Sequence, residues 1–162
     1  MIQIRRIVVP MDFSECSNRG LKYATALAER FDAEVMLVHA IEAPLNLPPQ
    51  TLVNVDPGGT SIPIMDYVRQ AAERRMEAVL HELANAKVRA SSVIELGDVR
   101  DVVLAQAARA GADMIVMGTN GRTGLRHLLI GSIAEDVVRR ASIPVLTIRV
   151  HEERRSEPPP QA

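Results

Sequence analysis

Residues 118–132, GTNGRTGLRHLLIGS, gather four of the chain's nine glycines, two arginines and a serine with no acidic side chain among them. Glycine loses much backbone entropy on folding, so such clustering needs a physical use. Gly118, Gly121 and Gly124 let main-chain amides come close to a ligand without a Cβ in the way. Gly131 and Ser132 open a helix-like segment, whose unpaired N–H groups and dipole favour an anion. A charge at such a terminus gains about 0.3–1 kcal/mol on a surface and up to about 2 kcal/mol when partly buried. Several amides acting together therefore hold a phosphate without a lysine. Arg122 and Arg126 can add charge-assisted contacts. Asp12, at the end of the apolar run VVPMD, can accept hydrogen bonds from ribose hydroxyls. Neither G-x-x-x-x-G-K-[ST] nor G-x-G-x-x-G occurs, so this is not a Walker loop or a dinucleotide fingerprint. No acidic residue lies between Met114 and Ala134, and efficient phosphate hydrolysis needs a positioned water and stabilised transition-state charge. The pattern suits binding better than fast turnover.

Five short apolar segments must position these residues: about 4–10, 33–40, 88–96, 113–118 and 143–150. The second and fourth are nearly continuous apolar runs, as in strands covered on both faces of a parallel sheet. Helical patterns separate them. Leu21, Ala24 and Ala28 share a face between Ser14 and about Arg30, with Leu27 and Phe31 beside it. Val68, Ala72, Met76, Val79 and Leu83 form a stripe between about Met65 and Ala86. Asp98 is placed to cap a third helix in which Val102, Ala105 and Ala108 recur, and Gly111 to end it. Ser132 is placed to cap a fourth helix running to about Ala141, with Ile133, Val137 and Val138 inward. Strict alternation of strand and helix predicts an α/β fold: a single open five-stranded parallel sheet with helices on both faces. In the order 3-2-1-4-5, strands one and four flank the reversal point, where ligands of open sheets bind. That order would bring Asp12 beside Gly118.

The length of 162 residues suits one domain. Residues 1–150 read as that domain. Residues 43–64, with five prolines and a Gly-Gly pair, read as a variable, mobile loop or lid. Residues 151–162, EERRSEPPPQA after His151, read as a disordered tail. The net charge of −1 and four aromatic residues argue against a nucleic-acid partner. No run approaches the roughly 18 apolar residues of a membrane helix. The single cysteine, Cys16, fits a reducing compartment, so a cytoplasmic location is expected.

Several motifs in order resemble the universal stress proteins, in their ATP-binding branch. That branch's motif is Gly, two residues, Gly, nine residues, then Gly with Ser or Thr. Here Gly118 and Gly121 enclose TN, Gly121 and Gly131 enclose RTGLRHLLI, and Ser132 follows. Pro10 and Asp12 match the family's P-x-D, DFSECS its first helix start, LVHA the end of its second strand, and SIPVLTIRV its closing strand. The resemblance spans about residues 2–150 except 43–64. It implies adenine near the backbone of Ala40, ribose at Asp12, and phosphates among Gly118, Gly121, Gly131 and Ser132. The amide of Ile133 and the side chain of Arg122 would lie nearby, and Pro10 and Met117 complete the nucleotide-binding set. It further implies ATP with Mg2+ or Mn2+, and a homodimer through the strand near 143–150.

Plainer roles compete. The glycine segment can be a surface connector, Asp12 a helix cap, and Arg122 and Arg126 solvated side chains. His127 has no partners at metal-ligand spacing. His39 reads as a core histidine, Cys16 as structural, and Met76, Met114 and Met117 as core filling. Three functions follow: an ATP-binding stress-response regulatory module with slow or no hydrolysis, acting through its dimer or an unknown protein partner; a slow metal-dependent ATPase; or a dimeric interaction protein with no nucleotide requirement.

Overall fold

Ile7, Val8 and Val9 alternate across a strand, yet all three are fully buried, so the strand that carries them must be covered on both faces. Burial of each contributes about 1.5–3 kcal/mol. The computed structural model describes residues 3–42, 47–119 and 131–149. In chain order the elements are β1 (Arg6–Pro10), α1 (Glu15–Phe31), β2 (Glu34–Ile41), β3 (Leu52–Asn54), β4 (Ser61–Pro63), α2 (Ile64–Asn85), β5 (Ala90–Leu96), α3 (Val99–Arg109), β6 (Met114–Gly118), α4 (Ser132–Arg140) and β7 (Val145–Ile148). Five strands form one parallel sheet in the order β5-β2-β1-β6-β7. Counting only the strands of this sheet, that is the order 3-2-1-4-5 expected from the sequence.

Helices cover both faces. Ile7, Val9, Val35 and Leu37 pack with Leu21, Ala24 and Ala28 of α1 and Met76 and Leu83 of α2. Val8, Val38, Ile115 and Met117 pack on the other face with Val102, Val103 and Ala107 of α3 and Ala134 and Val137 of α4. No helix among the described residues is long and apolar enough to cross a membrane.

Helix boundaries follow local chemistry. Ser14 caps α1, its side chain accepting from the Ser17 amide at 3.2 Å. Asp98 caps α3, accepting from the Arg100 amide at 2.8 Å. Beyond α3, Gly111 adopts φ 59, a left-handed turn that glycine makes without a Cβ penalty.

The structure departs from the sequence expectations at four places. The 43–64 segment is not simply a loop: its described part holds an antiparallel hairpin, β3 with β4, and Ile64 already begins α2. Strands of three residues fall below what periodicity can register, and the hairpin is pinned by the Asp56 carboxylate accepting from the Thr60 amide at 3.0 Å. Gly131, not Ser132, is the N-cap of α4; Ser132 is its first helical residue. The buried face of α3 is Val102, Val103, Gln106 and Ala107, so Ala108 points to solvent. Likewise Ala134 and Val137 face inward from α4, while Val138 is 46% exposed. Residues 151–162, assigned above to a tail, lie outside the described residues.

One close contact sets how α1 sits on β6. A Cβ placed on Gly118 would fall 2.6 Å from Cys16 Sγ and 2.9 Å from both the carbonyl carbon and the oxygen of Cys16. Real atoms do not approach that closely, so glycine here is a packing requirement. Gly118→Ala should push α1 off the sheet and cost about 1–3 kcal/mol, measured by chemical denaturation. The double variant with Cys16→Ala should recover only part of this loss, because two of the three colliding atoms belong to the Cys16 backbone.

At the amino end of the sheet, Asp113 Oδ2 accepts from the amides of Arg5 at 2.7 Å and Arg6 at 3.0 Å, tying the start of β1 to β6. These two amides hold the Asp113 carboxyl below the ordinary carboxylate range despite some desolvation. A lowered folded pKa means the stabilisation is present above the unfolded value near pH 4 and is lost as pH falls through the lower folded value. Asp113→Asn should therefore flatten the dependence of unfolding free energy on pH below about pH 4. Urea titrations across that range check this, and an unchanged slope would contradict it.

Candidate functional site

β1 leaves the sheet before its neighbours do. Pro10 pairs with Val38, and β2 continues three residues further, through Ile41. The Met11 amide still donates to Val38 O at 2.8 Å. Peptide groups alternate sides along a strand, so those of Ala40 point the same way as those of Val38, toward the space that β1 has left. On the other flank, the Thr119 amide donates to Ile148 O of β7 at 2.9 Å, so the peptide groups of Gly118 point back toward β1. Two strand ends thus aim main-chain groups into one gap.

The turn out of β1 shapes that gap. Phe13 has φ 63, an uncommon left-handed conformation for a residue with a side chain, which costs on the order of 1–2 kcal/mol. Its ring packs on the His39 ring, centroids 4.9 Å apart, and the Arg75 guanidinium lies 5.2 Å above it. His39 Nδ1 lies 2.6 Å from Met11 O, and Asp12 Oδ1 accepts from the Ser14 amide at 3.0 Å. His39 is thus a buried, hydrogen-bonded histidine, and it also borders the gap. Asp12 is not the cap of α1, which is Ser14; its carboxylate holds the amide of that cap residue, and it borders the gap too.

The gap is a cleft of about 310 Å³. Pro10, Asp12, Ala40, Met117, Gly118, Gly131, Ser132 and Ile133 all line it, although they come from four separate parts of the chain. Gly121, Gly124, Arg122, Arg126 and His127 lie outside the described residues. Sequence reasoning missed eight lining residues, among them His39, Val99, Thr119 and Glu42. Thr119 and Glu42 immediately follow strand ends, a signal that was available. Val99 opens α3 and reaches the cleft only through the sheet order, for which no local signal exists. Val38, Ala40, Val99, Met117 and Ala134 make much of the wall apolar.

Three helices begin at this cleft: Ser17 of α1, Val99 of α3 and Ser132 of α4 line it. Ser14 occupies one N–H of α1 and Asp98 one of α3. The N-cap of α4 is Gly131, which offers no side-chain hydrogen bond. The first intrahelical bond of α4 runs from Glu135 N to Gly131 O at 3.0 Å, so the amides of residues 132, 133 and 134 precede it. Gly131 has φ −71 and ψ 152, a conformation open to any residue, so backbone geometry does not demand glycine there. What glycine provides is the missing side chain. The Gly131 amide donates to Thr119 O at 2.7 Å, which fixes the start of α4 against the end of β6. Thr119 is 2% exposed, and its Oγ1 is the one buried side-chain polar atom without a hydrogen-bond partner among the described residues. An unpaired buried hydroxyl costs about 1–3 kcal/mol. Among the described residues no three metal-ligating side chains gather.

An uncapped helix start, an orphaned hydroxyl and an apolar wall describe a receptacle for an anion joined to a flat apolar group. Comparison with known proteins agrees on the framework. The universal stress protein family matches residues 3–149. Universal stress protein MJ0531 of Methanocaldococcus jannaschii is 29% identical over 145 residues, 90% of this chain and 82% of that protein. The solved structure of MJ0577, a universal stress protein of the same organism, superposes with a TM-score of 0.78 at 24% identity, covering 94% of this chain and 100% of that one. The structure of a universal stress protein from Archaeoglobus fulgidus in complex with dAMP gives a TM-score of 0.62 at 21% identity, over 91% and 98% of the two chains. With the family matched across nearly the whole domain and the same sheet recovered in solved relatives, the chain belongs to the universal stress protein family.

Proposed function

We propose that the cleft binds an adenine nucleotide, ATP in particular, and that the protein is a stress-response regulatory module with slow or no hydrolysis. The observation that carries this is the contrast among the three helix starts: α1 and α3 are capped by their own side chains, and α4 is capped by a glycine. The phosphates would sit at Gly131, Ser132 and the amide of Ile133, beside Gly118. The complete Gly118–Gly121–Gly131–Ser132 spacing supports the same seat, with Arg122 contributing charge. The peptide groups of Ala40 suit the hydrogen-bonding edge of adenine, and Asp12 suits the ribose. A bound dAMP in the A. fulgidus relative supports the choice of base.

Mg2+ or Mn2+ would arrive on the phosphates, since Mg2+ is commonly held by substrate phosphates, one or two carboxylates and water. Asp12 and Glu42 are the carboxylates lining the cleft. The metal would neutralise phosphate charge; the chain's residues bind and orient. β7 forms an edge of the sheet, paired with β6, and such an edge suits a homodimer that hides it. The one cysteine, Cys16, is buried and unpaired, which suits a reducing, cytoplasmic setting.

Nucleotide-free protein should gain about 2.7 kcal/mol of stability at ATP–Mg2+ a hundredfold above the dissociation constant. For a domain of this size that is a rise in Tm of roughly 5–10 °C. No shift at millimolar ATP would favour a nucleotide-independent interaction protein instead. Gly131→Val should leave the fold intact, since its backbone conformation accepts valine, and weaken ATP binding at least about tenfold by obstructing the seat; isothermal titration measures this. Asp12→Ala separates positioning from chemistry. A matched loss of affinity and of any slow turnover fits positioning, whereas lost turnover at unchanged affinity makes the protein an ATPase.

A further inference from the structure

We propose that the Thr119 hydroxyl donates a hydrogen bond to a phosphate of the bound nucleotide and makes the cleft read that group. This rests on the nucleotide reading of the cleft and names one of the two residues that the spacing between Gly118 and Gly121 leaves unspecified. Both main-chain groups of Thr119 are committed: the amide donates to Ile148 O at 2.9 Å and the carbonyl accepts from Gly131 N at 2.7 Å. The residue is therefore held by β7 on one side and by the start of α4 on the other, and its position is fixed before any ligand arrives. Only the hydroxyl is left over. It is buried, it has no partner among the described residues, and Thr119 lines the same cleft as the uncapped start of α4.

A hydroxyl can donate or accept, so the chemistry of the missing partner has to be chosen. Thr119 O already holds the Gly131 amide, and the residues that open α4 and line the same cleft bring amides, all donors, which select an acceptor-rich anion. A phosphate oxygen at that helix start accepts from the hydroxyl while accepting from the amides. Adenine, placed at Ala40 of β2, lies on the other flank of β1, and ribose, placed at Asp12, lies at the end of β1 between the two. Thr119 thus separates nucleotides from nucleosides, and its cost in the empty protein is relieved on binding.

The test compares pairs that differ by the hydroxyl alone. Wild type against Thr119→Val keeps the shape; Thr119→Ser against Thr119→Ala repeats the comparison in a smaller side chain, in case valine fails to fold. Affinities for ATP–Mg2+ and for adenosine are measured by titration, with the Tm of each nucleotide-free variant. Loss of the hydroxyl should weaken ATP about tenfold in both pairs, in line with a charge-assisted hydrogen bond. It should leave adenosine within about twofold and leave the empty protein's Tm unchanged or higher. Equal weakening of ATP and adenosine, or no weakening of ATP, overturns the assignment while the nucleotide site stands. A lower Tm in the empty hydroxyl-free variants also overturns it, because the hydroxyl would then be satisfied within the fold. If wild-type protein binds neither compound, the nucleotide reading itself fails and this one falls with it.

Discussion

The structure turns on one strand ending early between two that go on. β1 is the central strand of the sheet, and its neighbours are β2 and β6. When it turns away at Met11–Phe13, the peptide groups of its neighbours lose a partner while remaining rigidly held by the strands on their far sides. A cleft made this way is stiff, because β2 stays paired with β5 up to Ile41↔Leu96 and β6 with β7 up to Gly118↔Ile148. The turn itself carries strain at Phe13. The packing of its ring between His39 and Arg75 offsets that strain and holds the chain clear of the gap.

Gly118 shows how one residue type can serve two ends. In the sequence it reads as one of several glycines that clear space for a ligand. In the structure its missing Cβ is what lets the start of α1 rest on the end of β6. Gly131 is the complementary case: its backbone conformation demands nothing unusual, and as the N-cap it leaves the first amides of α4 without a side-chain cap. Packing fixes where the helix starts converge, and α4 is the one of the three that no side chain caps.

The surface of the molecule is held more loosely. Arg140 reaches Asp136 on its own helix at 3.0 Å and Asp101 of α3 at 2.7 Å, tying the outer helices of one face together. Exposed pairs of this kind contribute about 0–1 kcal/mol each.

The sequence by itself determined the alternation of strands and helices, the cap at Asp98, the stop at Gly111, and eight of the sixteen described residues around the cleft. These are local matters: a strand's period, a side chain's reach to an amide two or three residues on, a glycine's freedom at positive φ. Tertiary structure alone decided that β1 sits between β2 and β6, that Val99 reaches the cleft across the sheet, that the Thr119 hydroxyl has no partner among the described residues, and that Gly118 is demanded by Cys16. Parallel strands are joined by crossovers, so their adjacency leaves no trace in the residues that connect them. Burial and satisfaction of a single hydroxyl likewise depend on partners far away in the chain. The hairpin of β3 and β4 escaped the sequence for a different reason: three residues are too few to display a period, and its prolines point to irregular structure.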